Sequence, residues 1–123
     1  MSKQKILVID DEPIIIKALS RAFEKENFQV LTAQDGQKGL QSIIHHHPDL
    51  ILLDIMMPNL TGLEVLEKVK KRGITIPIIL MTAYGDANTE KRAKELNVAA
   101  YITKPFNNID DIISLVKQTL SSI

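Results

Sequence analysis

A chain of 123 residues has room for one domain with a single hydrophobic core, spanning 1–123. Its 45% hydrophobic and 24% charged residues are ordinary for a soluble globular protein. Lys+Arg 15 balance Asp+Glu 15, which disfavours a uniformly basic nucleic-acid binder, and Cys 0 excludes disulfides, thiolate nucleophiles and thiolate metal sites.

The start, Met1 to Lys5, is polar and lacks the long apolar core of a signal peptide. No run approaches the ~20 apolar residues of a membrane helix, so a cytoplasmic protein without membrane association is expected. Ile6-Leu7-Val8-Ile9 is a continuous apolar run that stops at Asp10. A run apolar on both faces suits a strand buried between two layers of helices. Pro13 then opens a helix whose inward stripe is Ile15, Ala18, Leu19, Ala22 and Phe23. Val30 to Ala33 forms a shorter, flanking strand. Asp35 caps a second helix carrying Leu40, Ile43 and Ile44, which Pro48 stops. Leu50-Ile51-Leu52-Leu53 is the second strongly apolar run and ends at Asp54. A third helix starts at about Gly62 with Val65, Leu66 and Val69, and Gly73 fits its exit. Ile78-Ile79-Leu80-Met81 ends at Thr82. Asp86 is placed to cap a fourth helix of thin apolar content, Ala87, Ala93 and Leu96. Ala100 to Thr103 is the last strand, followed by Lys104-Pro105. Asn108 or Asp110 opens a final helix with Ile109, Ile112, Ile113, Val116 and Leu120 spaced for burial.

Five strands alternating with five helices imply a doubly wound α/β fold, a five-stranded parallel sheet in a flavodoxin-like three-layer sandwich. Periodicity does not encode strand order; the order 2-1-3-4-5 is adopted as one of the two common ones. In such sheets ligands bind beside the carboxyl ends of the strands. The first strand ends in Asp10-Asp11-Glu12, the third in Asp54, the fourth in Thr82 and the fifth in Lys104.

Carboxylates crowded into one cleft repel, so at least one should hold its proton more tightly unless a cation intervenes. An all-oxygen site suits Mg²⁺, with Mn²⁺ as a substitute. Lys104 would balance charge on the side opposite the metal. Phosphoryl transfer needs such parts: cations and a hydroxyl for the phosphoryl oxygens, and a carboxylate able to form an aspartyl phosphate. Asp54 is the nucleophile candidate because it stands alone at the end of the central strand, with Asp10 and Asp11 to hold the metal. Each residue singly also has a plain structural role, since Asp after a strand often caps the next helix.

The stretches "VIDDEP" at 8–13, "DLILLDIMMPNLTGLEVL" at 49–66, "IILMTAYGD" at 78–86 and "YITKPF" at 101–106 resemble the response-regulator receiver domain along essentially the whole chain. The resemblance implies that Asp54 is the phospho-acceptor and that Asp11 and Asp54 ligate Mg²⁺ directly. It also implies Asp10 as a contributor through water, Met56 as a ligand through its backbone carbonyl, and Thr82 and Lys104 as phosphate partners. The Lys104-Pro105 bond matches a position that is usually cis. Thr82 and Tyr101 would form the switch pair that remodels the surface of helix four, strand five and helix five, a surface also available for phosphorylation-dependent dimerisation. Met56 and Tyr84 occupy the positions that tune dephosphorylation. Neither is an acid or amide, so slow self-dephosphorylation is expected. The implied partners are a histidine kinase or histidine phosphotransfer protein and a downstream effector, with no direct nucleic-acid binding. The domain would catalyse only its own phosphorylation and dephosphorylation.

Ile14, Ile15 and Ile16 are consecutive, and successive helical residues point about 100° apart, so Ile14 or Ile16 should be partly exposed. With Pro105 and Phe106 they lie, in the family, where the phosphodonor docks. His45-His46-His47 falls at a helix end away from the acidic edge, where solvated residues favourable to the helix dipole are expected. Two other functions fit the sheet. A flavin binder would want a Gly/Ser/Thr-rich loop after the first strand, where this chain has Asp10-Asp11-Glu12. A phosphatase of the haloacid-dehalogenase type would want its two acids two residues apart, whereas these are adjacent.

Overall fold

The computed structural model describes residues 3–83, 87–106 and 108–122. Ten elements alternate in the expected order: β1 (Lys5–Ile9), α1 (Pro13–Lys25), β2 (Gln29–Ala33), α2 (Gly36–His46), β3 (Leu50–Asp54), α3 (Gly62–Lys71), β4 (Ile78–Thr82), α4 (Ala87–Glu95), β5 (Ala100–Thr103) and α5 (Ile109–Ser121). The strands form one parallel sheet in the order β2-β1-β3-β4-β5, the common order adopted above.

The strand alternation divides the core into two layers. Ile6, Val8, Leu50, Leu52, Ile79 and Met81 pack with Leu19 and Phe23 of α1 and Ile112 and Val116 of α5. Leu7, Ile9, Ile51, Leu53, Ile78 and Leu80 pack on the other face with Ile43 of α2, Val65, Leu66 and Val69 of α3, and Ala93 of α4. β1, β3 and β4 are thus covered on both sides, which is why their sequences carry no polar alternation.

Local chemistry sets the helix ends. Pro13 occupies the first turn of α1, and the Asp35 side chain accepts the Lys38 N–H at the start of α2. Asn108, one of the two residues named from sequence, caps α5 by accepting the Asp110 N–H. Thr61 and Glu64 form a reciprocal capping box on α3, each side chain accepting the other's backbone N–H. Gly73, just past α3, has φ +72°, the left-handed region that glycine enters at no steric cost. The proposed cap Asp86 and the residue Tyr84 lie outside the described residues.

Candidate functional site

The register brings the acidic ends together. Ile9 pairs with Leu53, so Asp10 and Asp54 leave the sheet side by side, continuing the face of Val8 and Leu52 that packs on α1 and α5. β4 and β5 end in register at Thr82 and Thr103, and the Lys104 N–H donates to the Thr82 carbonyl at 2.7 Å, fixing where the lysine departs. Among the described residues, the buried polar ones are Asp10, Asp54, Thr82 and Lys104, all at this one edge. Buried polar groups are costly unless paired, so four of them at one place mark a site rather than a solvated surface.

Gly62 lets the start of α3 close over the end of β3. A Cβ there would lie 2.3 Å from the Asp54 carbonyl oxygen and 2.7 Å from Ile55 Cα, while the Gly62 N–H donates to the Ile55 carbonyl at 2.9 Å.

Carboxylate oxygens of Asp10, Asp11, Glu12 and Asp54 all lie within 4.8 Å of one another. Among the described residues, the Lys104 ammonium faces three of these carboxylates. Lys104 Nζ donates to Asp10 Oδ2 at 2.6 Å and to Glu12 Oε1 at 3.0 Å, and stands 3.5 Å from Asp54 Oδ2. Asp10 is fully engaged, because its Oδ1 also accepts the Glu12 N–H at 2.9 Å. Asp54 Oδ1 accepts a long 3.4 Å bond from the Met56 N–H.

The sequence reading put Lys104 on the side away from the metal-holding acids. The structure corrects this: the ammonium lies against Asp10 and Glu12. Uncompensated carboxylates in a poorly solvated cleft draw in the nearest cation. Glu12 is the site residue that sequence reasoning left without a role, although its place directly after Asp10-Asp11 was the available signal.

The Asp54 carboxyl is pushed up to about 7. Burial is the largest cause, the Asp10 charge the second, and Lys104 and the Met56 N–H only partly oppose them. Asp54 is the acid that holds its proton more tightly, but burial contributes more to this than the crowding of charges from which it was expected. Burial, the largest single cause, would lower the Lys104 ammonium, but its hydrogen bonds to Asp10 and Glu12 and the charges of Asp10 and Asp54 together raise it. The donor set consists of hard oxygens carrying excess negative charge and retaining a proton in the absence of a cation. It fits Mg²⁺.

The model of the response regulator receiver domain matches residues 6–117. The chain belongs to that family. This receiver domain is 38% identical over 120 residues to sporulation initiation phosphotransferase F of Bacillus subtilis (strain 168), covering 98% of this chain and 96% of that protein. It is also 38% identical over 104 residues to the alkaline phosphatase synthesis transcriptional regulatory protein PhoP of the same organism, but spans only 43% of that longer relative. Among solved structures, the CheY-like receiver domain protein from Methanospirillum hungatei JF-1 superposes with a TM-score of 0.93 at 30% identity, covering 98% of this chain and 96% of that one. Family membership displaces the flavin-binding and haloacid-dehalogenase readings.

Around the acidic cleft of the receiver, Ile14 is 81% exposed and Met56 is exposed too. Ile15, Ile16 and Phe106 are half-buried against the α1–α5 layer. Of the two isoleucines expected to be partly exposed, Ile14 stands clear of the core. Pro105 is exposed, and the Lys104-Pro105 bond is cis, as the resemblance implied. Tyr101 is half-buried against the layer that holds Ala93, with its hydroxyl shielded from solvent. It pairs with Leu80, so it is a diagonal neighbour of Thr82 on the same sheet face. α4 buries only Ala93 of its own side chains and is tied to α3 by the exposed Arg92–Glu67 pair at 3.4 Å. His45, His46 and His47 are exposed at the end of α2.

Proposed function

We propose that this receiver domain accepts a phosphoryl group on Asp54 from a histidine kinase or histidine phosphotransfer protein, in a Mg²⁺-dependent reaction. Supporting it above all is the position of Asp54: 3% exposed, raised in proton affinity, set among the other acids and 3.5 Å from the Lys104 ammonium.

Asp10, Asp11 and Asp54, with the Met56 carbonyl, would hold the ion, and Mn²⁺ would substitute. An ion held by these residues would supply charge withdrawal from the phosphoryl oxygens and would favour the ionised Asp54 carboxylate. An Asp54 oxygen attacks phosphorus, the P–N bond of the phosphohistidine breaks, and the bonding pair leaves with the imidazole nitrogen. Lys104 and the Thr82 hydroxyl take the remaining phosphoryl oxygens. Ile14, Ile16, Pro105 and Phe106 form the apolar rim on which the donor docks.

Output passes through Thr82 and Tyr101. As Thr82 turns to the phosphoryl group, Tyr101 repacks and the α4–β5–α5 surface changes. That surface engages an effector or a second phosphorylated copy. The thin apolar anchoring of α4 makes it the element most easily biased. The domain acts in the cytoplasm, does not itself bind nucleic acid, and catalyses only its own phosphorylation and dephosphorylation.

Intact-mass spectrometry after incubation with acetyl phosphate and Mg²⁺ tests the reading. One phosphoryl group is expected on the parent, and none on Asp54→Asn or when EDTA replaces Mg²⁺. Equal labelling of Asp54→Asn would overturn the assignment.

A further inference from the structure

We propose that Glu12 is a latch on Lys104: in the unphosphorylated domain its carboxylate helps to hold the ammonium back from the place where it would meet a phosphoryl group on Asp54. The proposal rests on Asp54 being the acceptor and adds a regulatory residue to that site.

An ammonium has three N–H donors. In the resting structure two are committed, to Asp10 at 2.6 Å and Glu12 at 3.0 Å, and Asp54 at 3.5 Å lies beyond a good bond. One donor is left, but the two short bonds hold Nζ against Asp10 and Glu12; to bring that donor onto a phosphoryl oxygen on Asp54, Lys104 must shift and lengthen one of them. The two partners differ in how easily they yield. Asp10 is fully buried and locked at its other oxygen by the Glu12 N–H. The Glu12 side chain is 59% exposed, so its bond to Lys104 is screened and water can replace it. Glu12 is therefore the partner that leaves.

Only its side chain has to move. Its backbone is held as the residue before Pro13 at the start of α1 and by its own N–H on Asp10 Oδ1. While latched, the carboxylate also keeps a negative charge at the mouth through which an anionic donor must come. Both effects slow phosphorylation of the resting domain. Glu12 is thus a positioning residue that acts through Lys104.

Two measurements on the intact chain test this. In the first, Glu12→Gln keeps the side-chain shape and the backbone N–H but removes the charge. Its initial rate of labelling by acetyl phosphate with Mg²⁺ is expected to rise about two- to fivefold, the worth of one half-exposed ion pair. An unchanged or slower rate overturns the latch, and a slower rate would mean that Glu12 holds Lys104 in its productive place.

The second measurement separates a latch from charge repulsion at the mouth. It is a metal-free urea double-mutant cycle of Glu12→Gln with Lys104→Met, run in parallel with Lys104→Gln so that one poorly folding variant does not leave it open. A coupling of about 1.5- to fivefold in the unfolding constant is expected. A faster Glu12→Gln with no coupling to position 104 overturns the latch, because repulsion of the donor needs no contact with Lys104. Absence of label on the parent, or its persistence in Asp54→Asn, defeats the acceptor reading itself. A labelled parent with an unaltered Glu12→Gln rate defeats the latch alone.

Discussion

Replacing Asp54 by asparagine should stabilise the metal-free domain, and the gain should depend on pH in one direction. The Asp54 carboxyl, ordinarily near 3.8, is raised to about 7 by burial and by Asp10. A raised folded-state value means that the native protein binds this proton more tightly than the unfolded chain does. The stability it contributes is complete below about pH 4, falls as pH climbs through about 7, and is level above that. A difference of roughly three pH units corresponds to about 4 kcal/mol at most, at 1.36 kcal/mol per unit. That is large beside a total stability of about 5–15 kcal/mol. Asparagine keeps the shape and cannot ionise, so it escapes the loss. Urea unfolding followed by far-ultraviolet circular dichroism in EDTA, from pH 4 to pH 8, reads the effect. The variant should exceed the parent by up to about 4 kcal/mol at pH 8, the two should converge toward pH 4, and Mg²⁺ should narrow the gap at pH 8. A parent as stable as the variant at pH 8, or a gap that ignores pH, would refute the reasoning.

Further outcomes follow from the same geometry. Lys104→Met leaves the buried Asp10 without its cation and should cost about 3–5 kcal/mol in EDTA, with Mg²⁺ restoring much of it; equal urea midpoints with and without the ion would contradict this. Gly62→Ala drives a Cβ against the Asp54 carbonyl and the Ile55 backbone, which cannot yield as a side-chain tip would. It should lose about 1–3 kcal/mol or more and slow labelling, against an unaltered midpoint if the contact is unimportant. Ile14→Ala and Ile16→Ala should slow transfer from the cognate protein donor while leaving labelling by acetyl phosphate intact, and unchanged transfer in both would remove the docking rim. Phosphoprotein freed of donor should lose its label slowly, because neither Met56 nor Tyr84 readily aligns an attacking water; turnover within seconds would reject that role for the pair.

The fold was most legible where burial is two-sided. β1, β3 and β4 announce themselves as unbroken aliphatic runs ending at Asp10, Asp54 and Thr82, because helices cover both faces and no position can be polar. Strand order came from convention, since parallel neighbours leave no trace in periodicity. The capping box Thr61-Gly62-Leu63-Glu64 has its own signature, a Thr followed three residues on by a Glu, which apolar spacing does not carry. At the site, the backbone ends were legible and the side-chain partners were not. Where Lys104 points depends on the charge that the other strands deliver. Only the assembled cleft shows that Asp10 and Glu12 draw it to their side.

The measurement closest to the central claim locates the phosphoryl group chemically. Borohydride reduces an acyl phosphate to an alcohol, so protein labelled by acetyl phosphate with Mg²⁺, then reduced and digested, should yield homoserine at position 54 by tandem mass spectrometry. Homoserine at Asp10, Asp11 or another carboxylate, with Asp54 intact, would contradict the account.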